Sequence, residues 1–307
     1  MAVSTRVIKS RIKSIRSTRK ITKAMELVAA SKMRKAVAAA LGSRTYAQLG
    51  WELLTHLSAG RISRKHPLLA HRPPRRVLLL VITSNRGLAG GLNANIIRKV
   101  VEQLKNPALK EVTLVTIGKK GERALARLGK PILASFHTIA DKPSIIDAGP
   151  ISRLVIEEYA AKKFDQVIIA YTDFISAILQ KPKLRQILPI RTADIDAQLQ
   201  ELSADAGETP KASAKFEGFG RGADYLFEPS PDIVLEMMIN RLVEVQIYQA
   251  LLESTASEHS SRMLAMRNAS DAAGEMIDDL TFSFNQARQA GITREISEIS
   301  AGKAALE

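Results

Sequence analysis

The chain has no cysteine among its 307 residues. Disulfide bonds, thiolate-bound zinc, iron–sulfur clusters and thiol catalysis are therefore excluded, and a reducing compartment is expected. Aromatic residues make up only 5% of the chain, and no stretch approaches the roughly 18 apolar residues that a membrane-spanning helix needs. With 46% hydrophobic and 25% charged residues, the composition is typical of a folded globular chain that does not itself cross a bilayer.

Acidic residues are scarce in the first quarter of the chain. Residues 1–76 contain 18 lysines and arginines against Glu26 and Glu52, whereas the remainder is nearly neutral. A basic arm of this kind usually meets phosphates, acidic protein or acidic lipid. Its first 20 residues also resemble a mitochondrial targeting peptide, because they are rich in Arg and Ser and lack acidic residues. The helical pattern continues without a break beyond residue 20, so we expect a structural helix instead.

Proline is absent before Pro67, and residues 3–57 have the pattern of one long helix. Seven residues recur on one face at helical spacing: Ile8, Ile12, Ile15, Thr22, Ala29, Met33 and Val37. A second apolar group lies nearly opposite: Ile21, Met25 and Val28. A helix that is apolar on two sides is expected to contact protein on two sides.

The middle of the chain alternates predicted strands and helices after Pro73. The predicted strands are residues 77–83, 112–117, 132–136 and 167–171, with an edge strand at 184–189. The predicted helices are residues 92–104, 120–128 and 151–163. This alternation indicates a mostly parallel sheet with helices on its faces. Residues 203–224, rich in Ala, Gly, Ser and Lys, are predicted to form a surface loop.

The last segment has a heptad pattern with no proline between residues 232 and 290. Thirteen of its sixteen heptad positions are apolar, which is a strong coiled-coil signal. The positions are Leu235, Met238, Leu242, Val245, Gln249, Leu252, Ala256, His259, Met263, Met266, Ser270, Ala273, Ile277, Leu280, Phe284 and Ala287.

The two terminal helices are too long for a compact globule of this size. At 1.5 Å per residue they span roughly 80 and 90 Å, against a diameter near 50 Å for a compact chain of this length. The predicted fold class is therefore α/β: a long antiparallel coiled coil of the N- and C-terminal helices plus a central Rossmann-like, mostly parallel α/β domain. The predicted segments are the N-terminal helix 1–72, the α/β domain 73–230 and the C-terminal helix 231–307.

Catalytic motifs are not found. The glycine-rich segment 87–91 lacks both the Gly-Lys-Ser/Thr ending of a nucleotide-binding loop and the spacing of a dinucleotide site, so a tight turn is expected. The five histidines have no metal-ligand spacing, and the pairs Asp194/Asp196 and Asp278/Asp279 are expected to be solvated. No metal or cofactor is predicted. An enzyme in the α/β domain stays an alternative that would need a ligand set not found in the sequence.

Three separate motifs carry a resemblance to one known family. They are residues 20–35 (KITKAMELVAASKMRK), residues 83–93 (TSNRGLAGGLN) and residues 292–299 (ITREISEI). In that order they resemble the N-terminal helix, the first strand–turn–helix and the C-terminal signature of the gamma subunit of F-type ATP synthases. The order of helix, α/β domain and long helix covers the whole chain.

The resemblance implies a non-catalytic rotor shaft that couples ion flow to ATP synthesis or hydrolysis. The implied partners are three alpha and three beta subunits around the coiled coil, with the epsilon subunit and the c-ring at the α/β foot. No nucleic acid is implied, and membrane association comes only through the complex, at the cytoplasmic face of a bacterial membrane. A basic coiled-coil protein that binds nucleic acid or the ribosome is the main alternative from the residues alone.

The resemblance also assigns residues to partner contact. Lys23 and Met25 match the segment that touches the beta-subunit lever. Four C-terminal residues match positions that contact or support that region: Arg262, Gln289, Thr293 and Glu298. The foot motif comprises Arg86, Gly87, Gly90 and Gly91. One departure is Lys303, which stands where the family usually has a small residue.

Overall fold

The computed structural model describes residues 5–58, 66–70, 72–107, 109, 111–139, 141–190, 228 and 230–304. The predicted loop 203–224 lies outside these residues. The elements, in chain order, are α1 (Thr5–Ser58), a short 3-10 helix (Pro67–Leu69), β1 (Arg76–Ile82), α2 (Leu92–Leu104), β2 (Glu111–Ile117), α3 (Lys119–Ala126), β3 (Ile132–Phe136), α4 (Ile145–Ala160), β4 (Gln166–Phe174), β5 (Gln180–Leu188) and α5 (Pro231–Ala304).

Contacts divide the chain into two units. We call Met1–Ala30 with Arg262–Glu307 the helical unit, and Ser31–Ser261 the sheet unit. Both long helices therefore contribute to both units. The predicted segment boundaries at residues 72 and 230 stay a prediction. None of the described helices is long and apolar enough to span a membrane.

The sheet unit contains five strands in the order β3-β2-β1-β4-β5. The first four are parallel and β5 is antiparallel, which confirms the predicted mostly parallel sheet. The predicted edge strand 184–189 is wrong at its start, since β5 begins at Gln180. Its first residues include Lys181, Pro182 and Lys183. Because charged residues and proline interrupt the apolar pattern, this part of the strand was not predicted from the sequence. Such residues are tolerated at a sheet edge, where they discourage pairing with other chains.

Helices cover both faces of the sheet, as the continuous apolar run of β1 predicted. Val77, Leu79 and Val81 of β1 pack with α2 and α3 on one face. The alternate residues, Leu78 and Leu80, pack on the other face with α4 and with the first turns of α5. The start of the C-terminal helix therefore belongs to the core of the sheet unit.

Helix α4 begins six residues before the predicted start at residue 151 and ends at Ala160. The Asp147 carboxylate accepts hydrogen bonds from the backbone N–H of Ser144 at 2.7 Å and from its hydroxyl at 3.0 Å. This N-terminal cap starts the helix. The predicted start was therefore wrong, and Pro150 lies inside the helix, within its first two turns, where proline is better tolerated than further along.

The helical unit pairs the start of α1 with the end of α5. Ile8 and Ile12 pack against Ile277 in a small apolar cluster, whereas Ile21 and Val28 of α1 are exposed. The two predicted faces of α1 therefore differ in burial within the chain. The heptad prediction for α5 is confirmed by burial, since each heptad position whose side chain is described is buried or half-buried.

Gly118 offers a test of how β2 is joined to α3. Its φ is +96°, and an added Cβ would lie 2.1 Å from the carbonyl oxygen of Thr83. We expect Gly118→Ala to lower the free energy of unfolding by roughly 2–4 kcal/mol, because it adds both backbone strain and a steric clash. Gly129 has φ +65° and open space around it, so Gly129→Ala should cost only about 1 kcal/mol. Urea denaturation of the two variants measures the difference, and equal losses would contradict the clash.

Candidate functional site

The loop after β1 is held by its own polar side chains. The Asn93 side chain accepts a hydrogen bond from the backbone N–H of Ser84 at 3.0 Å and donates one to the Ser84 hydroxyl at 2.7 Å. That hydroxyl donates to the carbonyl of Arg86 at 2.6 Å. Asn85 bridges to neighbouring strand ends, donating to the carbonyl of His137 and accepting from the backbone N–H of Lys119. The loop is therefore a rigid connection at the carboxyl edge of the sheet.

The foot-motif glycines serve this connection. Gly90 has φ +54° and precedes Gly91, the N-terminal cap of α2. Leu88 is also left-handed, with φ +62°. Gly87 lies beside the Lys120 side chain, and Arg86 is exposed. The geometry agrees with the predicted tight turn, in which glycine takes a conformation that other residues rarely adopt.

The carboxyl ends of β1 and β4 form the crevice where ligands bind in open α/β sheets. The chain leaves β1 towards α2 on one face and reaches β4 through α4 on the other face, so the topology switches direction at this point. Residues of α5 line this crevice, among them Leu251, Ser254 and His259. A polar cavity of ≈ 50 Å³ remains between them and the β1 loop. This is room for about three water molecules.

Asp141, in the loop after β3, connects to both long helices within the sheet unit. Its carboxylate forms an ion pair with the Lys32 ammonium of α1 at 2.5 Å. Its backbone carbonyl lies 3.3 Å from Nε2 of His259 on α5, which is 2% exposed. The hydrogen bond from Lys32, opposed by partial burial, lowers the pKa of Asp141, and Arg86 and His259 act in the same direction. Asp141 is therefore an anion at neutral pH.

Serines of α5 bind the opposite part of the sheet edge, at β4 and the turn that follows it. Ser254 accepts a hydrogen bond from the backbone N–H of Thr172 at 3.2 Å, and Ser257 donates to the Thr172 carbonyl at 3.1 Å. Ser260 donates to the carbonyl of Ala177 at 2.5 Å. Ser261 donates to the side-chain oxygen of Gln180 at 2.9 Å. We call Ser254, Ser257, Ser260 and Ser261 the serine ladder.

Sequence reasoning missed both the serine ladder and Asp141. The ladder left a signal, because four serines within eight residues are unusual inside a helix, where serine hydroxyls compete for backbone groups. Asp141 left none, since it is one acidic residue in a loop. His259, which the sequence analysis gave as a heptad position without metal-ligand spacing, is buried beside Asp141.

The predicted partner-contact residues all lie in the helical unit. Lys23 is exposed and pairs with Glu26 of its own helix at 3.0 Å. Met25 and Arg262 are half-buried. The remaining three are exposed on α5: Gln289, Thr293 and Glu298. The role of these six residues stays a prediction. The side chain of Lys303 lies outside the described residues.

The remaining acidic and histidine residues considered in the sequence analysis do not come together at one site within the described residues. Asp278 and Asp279 are exposed, as predicted, and Asp194 and Asp196 lie outside the described residues. Nε2 of His137 lies 3.2 Å from the Glu122 carboxylate. Within the described ranges, no group of three or more His, Cys, Asp or Glu residues could hold a metal ion.

Sequence comparison identifies the family. A family model described as ATP synthase matches residues 4–306. The ATP synthase gamma chain of Heliobacterium modesticaldum is 46% identical over 301 residues, covering 98% of both chains. The ATP synthase gamma chain of Dehalococcoides mccartyi is 40% identical over 307 residues, again covering 98% of both chains.

Solved structures agree with this result. The fold matches a chain from the central stalk and c-ring structure of the Tetrahymena thermophila mitochondrial ATP synthase, with a TM-score of 0.61 and 30% identity over 81% of this chain and 99% of that one. A chain of the Euglena gracilis mitochondrial ATP synthase has a TM-score of 0.64 at 19% identity, covering 98% of this chain and 94% of that one, and supports the fold alone. The fold is thus that of an ATP synthase central-stalk protein. The chain belongs to the ATP synthase gamma chain family.

The Lys32–Asp141 ion pair gives a prediction with a defined pH dependence. Because the folded pKa of Asp141 is lowered, the pair stabilises the fold above the unfolded pKa of about 3.9 and loses this effect as the pH falls through the lower folded value. Both side chains are more than a third exposed. A double-mutant cycle with Lys32→Met and Asp141→Asn should therefore give only about 0.5–1 kcal/mol at neutral pH.

Urea denaturation at several pH values measures this coupling free energy. The exposed pair Lys99–Glu102, with 3.9 Å between its charged atoms, is the control and should couple by no more than a few tenths of a kcal/mol. A coupling free energy that did not fall between neutral pH and the most acidic pH at which the chain still folds would contradict the assignment to a charged Asp141.

Proposed function

We propose that the chain is the central rotor shaft of an ATP synthase and has no catalytic site of its own. It would couple ion flow through a membrane ring to ATP synthesis or hydrolysis on the beta subunits. The observation that carries the proposal is the family match over residues 4–306, together with the pairing of α1 and α5 in the helical unit. The family match favours this function over the nucleic-acid-binding alternative.

The proposed mechanism is conformational coupling. A shaft performs no chemistry, but it can make different contacts with three otherwise equivalent beta subunits at each rotational position. A contact shifts a conformational equilibrium only by the difference in its free energy between the two states. Rotation would therefore change which beta subunit is favoured in each binding state.

The exposed apolar residues of α1 support a surrounding partner. Ile21, Leu27 and Val28 are 58%, 62% and 56% exposed in the isolated chain, which is unusual for three large apolar side chains so close together. A sleeve of three alpha and three beta subunits would cover them. Lys23, Met25, Arg262, Gln289, Thr293 and Glu298 are the residues that we propose contact or support the contact with this ring.

We propose that the foot is the α/β domain with its motif Arg86, Gly87, Gly90 and Gly91. It would rest on the c-ring beside the epsilon subunit. The chain would then be peripheral, at the cytoplasmic face of a bacterial membrane, and held there through the complex. The hydrogen bonds of Ser84, Asn85 and Asn93 would keep this loop rigid under load.

Reconstitution tests the proposed function and the role of the basic arm. Residues 1–35 carry eleven Lys and Arg against Glu26 alone, so the inner surface of the ring is expected to be net acidic. Mixed with alpha and beta subunits, the chain should enter a one-copy complex with ATPase activity. Association should slow at ~1 M salt, where the Debye length is about 3 Å, while dissociation changes little. Failure to enter such a complex would contradict the function, and a salt-independent association rate would contradict the charge argument.

Met25→Lys tests the partner contact on α1. The new ammonium would face the polar or acidic lever of the beta subunit at one rotational position. The added attraction is worth up to a few kcal/mol if the pair is partly buried and almost nothing if it is exposed. Because extra attraction raises the barrier to leaving that position, ATP hydrolysis should become poorly coupled to ion pumping.

The measurement is ion transport per ATP hydrolysed in reconstituted vesicles. Met25→Leu keeps the side-chain volume without adding charge, so it should couple as the unchanged chain does. Normal pumping per ATP by Met25→Lys would show that Met25 does not face the ring.

A further inference from the structure

We propose that the serine ladder and Asp141 together form the joint that fixes the rotational position of α5 against the sheet, so that torque passes between them without slip. This inference rests on the proposed function. It assigns positioning residues, within the sheet unit, that neither the sequence motifs nor the family match identifies.

The backbone of Thr172 is bound by α5 through both its N–H and its carbonyl. Pairing between β1 and β4 ends at Ala170, and the residue opposite Thr172 in β5 is Pro182, which has no N–H to donate. Thr172 is nevertheless 5% exposed. Ser254 accepts from its N–H and Ser257 donates to its carbonyl. The two serines thus supply the hydrogen bonds that buried backbone groups require.

The next two serines extend the attachment into the turn between β4 and β5. Ser260, fully buried, donates to the carbonyl of Ala177. Ser261 donates to Gln180, whose side-chain nitrogen in turn lies 3.3 Å from the Ser260 hydroxyl. The Gln180 side chain also donates to the carbonyls of Ser176 and Ala177. The turn is therefore fixed internally and to α5 at the same time.

The opposite flank of α5 contacts the loop after β3. At about 100° per residue, His259 lies about 160° around the helix from Ser257 and from Ser261. His259 contacts the backbone carbonyl of Asp141, and Asp141 also pairs with Lys32 of α1. Asp141 therefore lies on one flank of α5 and the serine ladder on the other.

Two opposed hydrogen-bonded attachments add to the resistance to rotation that apolar packing supplies. The hydrophobic attraction itself is non-directional, so Leu251 and Ala250, which pack α5 into the core, restrict its angle through their shape alone. Hydrogen bonds weaken steeply when their geometry is bent. A helix attached on one side can roll about that contact, whereas rolling α5 here must break the serine ladder or the His259–Asp141 contact.

The test uses the complete ATP synthase in vesicles, with ATP-driven proton transport measured against a rising opposing proton gradient. The variants are Ser257→Ala and Ser260→Ala, alone and together, and Asp141→Ala. The matched control is Thr255→Val, on the same turn of α5, because its hydroxyl donates only to the carbonyl of Leu251 in its own helix at 2.8 Å.

Loss of one ladder hydrogen bond should raise the population of slipped joints about five-fold. We therefore expect proton transport per ATP to fall with increasing opposing gradient in the ladder and Asp141 variants, while ATPase activity without a gradient stays the same. Thr255→Val should behave as the unchanged complex. The double variant should lose coupling at a lower gradient than either single one.

Either of two results would overturn the proposal that these residues form a joint. One is proton transport per ATP under load that equals that of the unchanged complex in every variant. The other is failure of the single serine variants to assemble, which makes the serines necessary for folding rather than for torque. Failure of the proposed function is distinguishable, because then the unchanged complex itself hydrolyses ATP without pumping protons.

Discussion

The structure depends on one constraint: α5 must be both a part of the sheet core and one half of a helix pair. Its early residues, such as Ile239, Val243 and Ile247, pack under the sheet. Its late residues, such as Ile277, pack against α1 in the helical unit. One helix of 74 residues therefore meets two different packing requirements along its length.

This constraint explains why residues of α5 line the switch-point crevice. In open α/β sheets the carboxyl ends of the strands offer unpaired backbone groups and a concave surface. Here two serine hydroxyls of α5 form hydrogen bonds with the backbone N–H and carbonyl of Thr172. The backbone of the loop after β1 forms hydrogen bonds with polar side chains of the same segment. The sheet is therefore mostly parallel with helices on both faces, and the hydrogen bonds at its carboxyl edge attach a helix.

Much of the fold could be predicted from the sequence, because it rests on apolar periodicity. The heptads of α5, the buried strand β1 and the parallel order of the sheet follow from the spacing of apolar residues. The misplaced ends are those determined by polar residues: the cap at Ser144 that starts α4 before Pro150, and the charged start of β5. The proposed joint escaped prediction for the same reason. The four serines of the ladder were visible in the sequence, but their partners were not, and a single loop carboxylate such as Asp141 gains its partners only through tertiary structure.

The helical unit leaves large apolar side chains exposed, whereas the sheet unit buries most of its own. Long helices owe their stability in water mainly to packing of an apolar face, and the sheet unit provides that packing within the chain. In the helical unit, Phe282, Ile296 and Ile299 are 73%, 59% and 69% exposed, in a stretch of α5 where most other residues are exposed too. Within a ring these side chains would lose their contact with water at little entropic cost, since the helix that carries them is already formed from Pro231 onward. The contacts of α5 therefore differ along its length: contacts within the sheet unit hold its first half, whereas much of its second half is exposed.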